Sequence, residues 1–453
     1  MEIQIPAALK KLAELSQFDV YITGGYLRNH FAGLGETDID LSGPLVATAL
    51  GLPKNYIIRV VNFRLGTAVI KCGPDEYEYT PFRIESYGAG GRHTPVSVSF
   101  TSDIVKDAAR RDFACNSLYY NLKTEELVDL FGGKKDAENK ILRNPEPGRI
   151  FADDGLRLMR LIRIAAETGF KIEAATAKAA MENAALLADI SAERKRVELN
   201  RILLADQKYG VAGGHFRGIK LLHQFGLLRY VIPQLIEGDG MPQNPNYHKF
   251  DVLEHAFQTV RHAAPDLSVR LAALLHDVGK PYCVKKFGNM HGHEKASEHM
   301  ARIIMGKYGL RYSNHETEEV ARLCRHHMYD LAGKTSESKM RLFVANNYDI
   351  VDKLVALTVA DRKGSGLREA PEVHRLTAIK EKMLADGAPI AMLNLEINGG
   401  DLLSLGIRGE AIGIILRDVH EKCVMEPKLN NRLWLMEYAR RRAPGTGNNR
   451  MAE

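Results

Sequence analysis

The chain has 453 residues, of which 45% are hydrophobic and 26% charged; at about 150 residues per domain this predicts about three units of a soluble globular protein, not of a disordered or membrane one. No run approaches the roughly 18 uncharged apolar residues that cross a bilayer, and the start, Met1-Glu2-Ile3-Gln4-Ile5-Pro6, lacks a basic-then-apolar leader, so a cytoplasmic protein without a membrane partner is expected. A net charge of +6 permits a polyanionic partner without demanding one, and five scattered cysteines with no C-x-x-C pair are expected to be reduced and structural.

The first informative element is Tyr21-Ile22-Thr23-Gly24-Gly25-Tyr26-Leu27-Arg28, which reads as strand, turn and helix. The paired glycines allow a tight turn into a helix whose exposed N–H groups favour phosphate, and Arg28 adds a charged donor on its first turns. Asp38-Ile39-Asp40 follows; as a strand it would project both carboxylates from one face. Glu78 lies further on, in an apolar segment. Clustered carboxylates form a hard oxygen nest that suits Mg²⁺, and two such ions serve in-line displacement at phosphorus. The ordered set therefore outlines a nucleotidyl-transfer site, although a D-x-D or a Gly-Gly turn alone is common.

Short β-rich runs are predicted at Tyr56 to Phe63, Thr67 to Cys72, Tyr77 to Phe82 and Ser117 to Asn121. Between them lies the glycine-rich stretch Tyr87-Gly88-Ala89-Gly90-Gly91-Arg92-His93, expected to be a mobile loop. Arg110 and Arg111 add positive charge. After Phe131-Gly132-Gly133 the texture turns helical, as in Asp153 to Thr168 and Ala174 to Ala188. Within the first of these, Asp154 and Arg157 are three apart and so neighbours on one helical face. They form either a plain intrahelical ion pair or a reader of base edges. Cytosine and adenine both present an amino donor beside a ring-nitrogen acceptor, which an acid next to an arginine complements; guanine and uracil do not. Arg160 and Arg163 continue the basic face, and Ser191-Ala192-Glu193-Arg194-Lys195-Arg196 extends it.

Gly238 to Asn246 is rich in Gly, Pro and Asn and looks like a boundary. Beyond it, His255, His276-Asp277 after the helix-like run Arg270 to Leu275, and Asp361 supply imidazoles and carboxylates in the order H, H-D, D. That set can hold a divalent transition metal and generate hydroxide. Lys280, His291, His293, His326 and His327 could supply further ligands or phosphate contacts, with His293 and His326 as the ligand candidates and the other three expected at the surface. The last segment, Ala443 to Glu453, is polar and expected to fray.

The expected architecture is multidomain α+β: a head over 1–137 with a small mixed sheet and helices, a helical region over 138–245, an all-α domain over 246–365, and a helical tail over 366–453; by the family resemblances that their motifs carry, the first three imply a nucleotidyltransferase head, a nucleotide-selecting and tRNA-binding region and an HD-type domain.

Together these motifs resemble the class II tRNA nucleotidyltransferase and poly(A) polymerase family over about the first half of the chain. Gly24, Gly25, Arg28, Asp38 and Asp40 stand where its first motif places the turn and metal carboxylates, and Glu78-Tyr79-Thr80-Pro81-Phe82-Arg83 is similar to its third-acid strand. Arg110-Arg111-Asp112-Phe113-Ala114-Cys115-Asn116 looks like its ribose-contacting motif, with Ala114 and Ser117 as departures. Asp153-Asp154-x-x-Arg157 looks like its amino-acid template, with Asp153 in place of Glu. The resemblance implies Asp38, Asp40 and Glu78 as catalytic acids with Mg²⁺ on Asp38 and Asp40, and nucleotide contacts from Gly25, Arg28, Arg111, Asp112, Asn116, Asp154, Arg157, Arg160 and Arg163. In the family a flexible element at the place of the glycine-rich loop accompanies addition of the terminal A. Phe63-Arg64-Leu65-Gly66-Thr67 stands where poly(A) polymerases carry a basic stretch, which favours tRNA-end repair over tailing.

The stretch Tyr247 to Gly364 resembles the HD phosphohydrolase superfamily, with His255, His276, Asp277 and Asp361 as metal candidates for a second divalent transition metal. The expected function is untemplated addition of C, C and A to tRNA from CTP and ATP, with a second phosphohydrolase activity open and a homo-oligomer allowed. The rivals are an A-only enzyme or poly(A) polymerase, and, in another class, an HD phosphohydrolase with an RNA-binding front half.

Overall fold

The computed structural model describes residues 3–35, 37–88, 91, 93–146, 148–366 and 375–442. The chain divides into two compact units, Met1–Asp239 with Ile303–Ser313, and Gly240–Arg302 with Asn314–Glu453.

The first unit begins with a sheet of seven strands, β1 (Tyr21–Thr23), β2 (Asp40–Gly43), β3 (Ile57–Asn62), β4 (Thr67–Cys72), β5 (Asp75–Pro81), and, after the separate hairpin β6 (Arg83–Ser86) and β7 (Ser97–Phe100), β8 (Leu118–Asn121) and β9 (Leu127–Asp129). Their order is β3-β4-β5-β2-β1-β8-β9. Only the β2–β5 pairing is parallel within this sheet. Alternation along β5 turns Tyr77 and Tyr79 inward and leaves Glu78 exposed, as the period of two requires. Leu9, Leu12, Ile22, Leu27, Leu41, Ile70 and Leu118 fill the core behind the sheet. The β6–β7 hairpin was not among the predicted strands; its sequence alternates, but both faces carry polar residues, which weakens the periodic signal.

Helices follow at Arg149–Asp153, Leu156–Thr168, Ala174–Glu182, Ala192–Leu203 and Gly214–Gln224. The expected helix from Asp153 is interrupted. Asp154 is extended (φ −146°, ψ 102°) and its Oδ1 accepts from Leu156 N at 2.9 Å, a local bond that competes with helix continuation and restarts the helix at Leu156. The restarted helix is buried nearly all round, including Arg163 and Glu167. Those charges are tolerated because Arg163 bonds Glu167 at 2.8 Å and Glu198 at 2.6 Å. Similarly, the run expected to continue to Ala188 ends as a helix at Glu182 and resumes as a tight 3₁₀ segment, Ala184–Asp189.

The second unit is all helical among the described residues. Val252–His262, Leu267–Leu275, Asn314–His326 and Val351–Gly364 surround its histidine cluster. Gly364 is required for the close approach of two of them: a Cβ there would lie 2.5 Å from Thr259 Oγ1. Distal helices Glu410–Met425 and Arg432–Arg442 close over a separate core of Leu402, Val419, Cys423 and Leu435. All five cysteines are free and buried. No helix among the described residues is long and apolar enough to cross a membrane. The expected fraying of Ala443 to Glu453 lies outside the described residues, as do Ala89, Gly90 and Arg92 of the glycine-rich loop.

Candidate active site and metal centre

In the first unit a cleft of about 620 Å³ is lined by Gly24, Gly25, Asp38 and Asp40 on the sheet side and by Asp154, Arg157, Arg160 and Arg163 on the helical side. The expected strand Asp38-Ile39-Asp40 starts only at Asp40, so Asp38 reaches the cleft from the segment before the strand. Asp40 stands in register with Glu78 on the neighbouring parallel strand, which puts both acids on the exposed face of the sheet. Glu78 itself is not among the lining residues. Asp40 touches solvent, yet protein surrounds most of its carboxylate: burial first and Glu78 next, with Asp38 adding and Arg111 opposing, push its pKa up to about 6. Gly24 makes room for that carboxylate, since a Cβ there would sit 3.4 Å from Asp40 Oδ2, and its φ of +77° suits glycine.

Most of the arginines anticipated as free phosphate donors are tied to the protein. Arg28 is buried and donates to Asn29 Oδ1 at 2.8 and 3.1 Å and to Asn116 Oδ1 at 2.9 Å. Asn116 in turn donates to Asp112 Oδ1 at 2.9 Å, and Asp112 Oδ2 accepts from Arg160 at 2.6 and 2.9 Å. Burial opposes its charge, but Arg160 and Asn116 hold the Asp112 carboxyl well below the usual range. Arg110 and Arg111 converge on Asp107, a fully buried carboxylate that sequence reasoning missed. Its spacing of three and four residues before the two arginines was the available signal. Tyr119 donates to Asp107 at 2.6 Å. Glu85, also missed, accepts from Arg83 at 2.6 Å and Arg110 at 3.3 Å.

The Asp154 and Arg157 side chains are close, with Nε 3.7 Å from Oδ2. They are joined by two residues of the glycine-rich stretch. His93 Nδ1 lies 2.8 Å from Asp154 Oδ2, and the Arg157 guanidinium lies 5.7 Å from the Tyr87 ring centre. Gly155 N donates to Gly91 O at 2.8 Å. The described part of the loop is thus anchored on the helical side of the cleft.

In the second unit His255, His276, Asp277 and Asp361 meet. His255 Nε2 lies 3.1 Å from His276 Nε2 and 2.9 Å from Asp361 Oδ1, and His276 Nε2 lies 3.2 Å from Asp277 Oδ2. Lys280 Nζ is 2.6 Å from Asp277 Oδ2 and 2.6 Å from Gln243 Oε1. Burial opposes charge on His276, but Asp277 and Asp361 push its pKa up to about 10. Asp277 and Asp361 are held well below the ordinary carboxyl range, mainly by these histidines and, for Asp277, Lys280, against burial. Among the described residues the two clusters of three ligand atoms within 4.8 Å of one another are His255, His276, Asp361 and His276, Asp277, His327. His326 is therefore corrected: its ring packs edge-on to Phe343 at 5.0 Å, whereas its neighbour His327 turns inward. His291 is exposed.

The family is decided by the order of three matches along the chain. Residues 20–143 match the poly A polymerase head domain, 169–238 the probable RNA and SrmB-binding site of polymerase A, and 252–365 the HD domain. This chain belongs to the tRNA nucleotidyltransferase and poly(A) polymerase family. An A-adding tRNA nucleotidyltransferase of Deinococcus radiodurans is 29% identical over 348 residues, 72% of this chain and 76% of that one. A CCA-adding enzyme of Lactiplantibacillus plantarum is 34% identical over 215 residues, 47% of this chain and 51% of its own length; against this relative the chain aligns over about half. Among solved structures, the Bacillus stearothermophilus CCA-adding enzyme in complex with CTP superposes with a TM-score of 0.67 at 20% identity, covering 97% of this chain and 99% of that one. A tRNA nucleotidyltransferase complexed with a primer tRNA and an incoming ATP analog gives 0.52 at 17% identity, covering 83% and 98%. At these identities the superpositions establish the tRNA nucleotidyltransferase fold. Nucleotidyltransferase and HD domains generally use divalent metals.

Proposed function

We propose that the protein adds C, C and A to the 3′ end of tRNA from CTP and ATP without a nucleic-acid template. One observation carries this reading: the acids of the sheet and the Asp154–Arg157 couple line the same basic cleft, so a nucleotide whose triphosphate meets Asp38 and Asp40 can present its base to the couple. The donor set fits Mg²⁺, because Asp40 carries uncompensated negative charge beside Glu78 and Asp38 and hard oxygen ligands suit that ion. Asp38 and Asp40 would hold it, and when bound it supplies charge neutralisation to the triphosphate.

In the transfer the 3′-hydroxyl oxygen forms a bond to the α-phosphorus, the bond from that phosphorus to the bridging oxygen breaks, and pyrophosphate leaves. Glu78, in register with Asp40 on the same face of the sheet, would be the third acid that assists the 3′-hydroxyl and takes up its proton. Arg28, fixed by Asn29 and Asn116, would present a guanidinium edge of the cleft to phosphate. Asp112 and Asn116 would hold the ribose wall, and Arg157 with Asp154 would read the amino-and-acceptor edge shared by C and A. The helical remainder would grip the tRNA by backbone and shape.

Trimmed tRNA with labelled CTP and ATP, separately and together, tests this. Full transfer by an Asp38→Ala, Asp40→Ala double variant would sink it. The similarity to an A-adding relative favours one narrower alternative, an A-only enzyme, which would leave tRNA lacking CCA unextended when given CTP alone.

The second unit is proposed as a metal-dependent phosphohydrolase on His255, His276, Asp277 and Asp361. His276 donates from Nδ1 to Ala273 O at 2.9 Å, which leaves Nε2 as a ligand aimed into the centre. Loss of phosphate release in His276→Ala with unchanged nucleotide addition is expected.

A further inference from the structure

The register of the sheet carries its open face beyond the acids. Asp40 and Glu78 stand opposite each other on β2 and β5, Val69 stands opposite Glu78 on β4, and Arg59 stands opposite Val69 on β3. Directly opposed residues share a face, so one row runs Asp40, Glu78, Val69, Arg59. Lys71, opposite Ile57 on one side and Glu76 on the other, lies in the next row of the same face. The alternate residues Ile58, Val60, Ala68 and Ile70 turn the other way, into the core.

This part of the face is open and its charges are unpaired. Ile57 and Val61 are each 60% exposed, and Arg59 and Lys71 are exposed as well. Arg28, Arg110, Arg111 and Arg160 are tied to acids or amides. The side chains of Arg59 and Lys71, in contrast, make no ion pair or hydrogen bond among the described residues, and Glu76 is not paired with Lys71. The two cations are diagonal neighbours, about 7–8 Å apart between Cα atoms, from which two long side chains reach successive phosphates of one strand. A bulge between Val60 and Asn62 ends the regular pairing, and Asn62, Arg64 and Leu65 at the following turn line the nucleotide cleft. The surface is therefore continuous with the site.

The geometry of the transfer selects the partner. The Gly24-Gly25 turn and Arg28, on the triphosphate side, follow β1, which flanks β2 on one edge; β5 with Glu78 flanks it on the other. In-line displacement sets the attacking hydroxyl opposite the leaving pyrophosphate. The RNA strand that brings this hydroxyl then comes over β5, and the next surface on its path is β4 and β3. Arg59 is two strand spacings from Glu78, about 10 Å.

We infer that the open face of β3 and β4 seats the acceptor strand of tRNA next to its 3′ end, with Arg59 and Lys71 on its phosphates and Ile57 and Val61 against its sugars. This rests on the tRNA-extending reading of the first unit. Phosphate and sugar contacts fix position without reading sequence, which suits a surface that must accept tRNAs of many sequences.

The test is extension of trimmed tRNA by full-length protein carrying Arg59→Gln and Lys71→Gln. The KM for tRNA should rise about tenfold, and its salt dependence should flatten by about 1.4 in the log–log slope, from two single-strand phosphates at about 0.7 each. The kcat and the KM for CTP should stay within about twofold, and Arg59→Lys with Lys71→Arg should behave as the parent. Val61→Cys labelled with a benzophenone maleimide, which spares the five buried cysteines, should cross-link on illumination to the last nucleotides of the strand ending in the 3′-hydroxyl. Parent values of KM and slope in the glutamine variant, or a cross-link only to the anticodon half or to a second protein chain, overturn the surface while leaving nucleotide addition intact; no extension by the parent overturns both.

Discussion

Arg160 places two nitrogens on a single oxygen of Asp112, Nη2 at 2.6 Å and Nε at 2.9 Å, across 48 residues of chain. The contact joins the wall of the sheet domain to the helix Leu156–Thr168. Through Asn116 it continues to Arg28, so the two sides of the cleft are fixed by one polar chain. Asp112 is buried, whereas the Arg160 side chain is partly open, and loss of the arginine would strand the acid.

Arg160→Leu should therefore cost about 2 kcal/mol, below the range for a fully buried pair because Arg160 keeps contact with water. Nucleotide incorporation should drop by about tenfold in kcat/KM, since the wall carrying Asn116 loses its anchor. Urea unfolding and steady-state incorporation check both, and an unchanged variant in either assay would remove the pair from its structural role.

Asp107 gives a pH signature. Burial would raise its carboxyl, but Arg111, Arg110 and the Tyr119 hydroxyl bring it down to about 2 from an ordinary 3.8. A folded value below the unfolded one means stability that is present above about pH 4 and lost as the pH falls toward 2. The difference corresponds to about 2 kcal/mol. Asp107→Asn should unfold at lower urea than the parent at pH 6, and the gap should narrow as the pH is taken below 4. A gap independent of pH would contradict the assignment.

His93 is half-exposed but holds one oxygen of Asp154. His93→Ala should leave stability within about 0.5 kcal/mol, while the freed carboxylate loses its fixed orientation toward the base. A fall of about tenfold in kcat/KM for ATP or CTP, near the worth of one hydrogen bond, is expected with less effect on mismatched nucleotides. Equal losses for all four nucleotides would show that His93 does not act through Asp154.

Gly155 lies where a Cβ would come within 2.8 Å of Leu186 O and 3.3 Å of Gly91 O. Both are backbone atoms with little freedom to yield. Gly155→Ala should destabilise the first unit by about 2 kcal/mol and loosen the Gly91 contact. Thermal unfolding and protease cleavage within the glycine-rich stretch provide the readouts.

Much of the sheet domain was legible in the residues. Thr67–Cys72 coincides with its predicted run, and β3, β5 and β8 differ from theirs by one or two residues at the ends, because alternation of apolar side chains is a local signal. The glycine turn, the acids and the Asp154–Arg157 spacing were visible for the same reason. The break at Asp154 was not, since helical periodicity continues across it while a side-chain bond ends the helix. Asp107 escaped notice because its importance lies in three partners and complete burial.

Sequence alone determined the order of the motifs and hence the chemistry on offer: carboxylates, arginines and imidazoles in fixed succession. The tertiary structure decided which of them are available. It spent Arg110 and Arg111 on Asp107, turned His327 rather than His326 toward Asp277, and set His93 against Asp154. Spacing along a chain fixes only near neighbours, such as Asp107 and its two arginines, whereas the contacts of His327 and His93 join segments dozens of residues apart, and burial makes each unpaired charge too costly to leave unresolved.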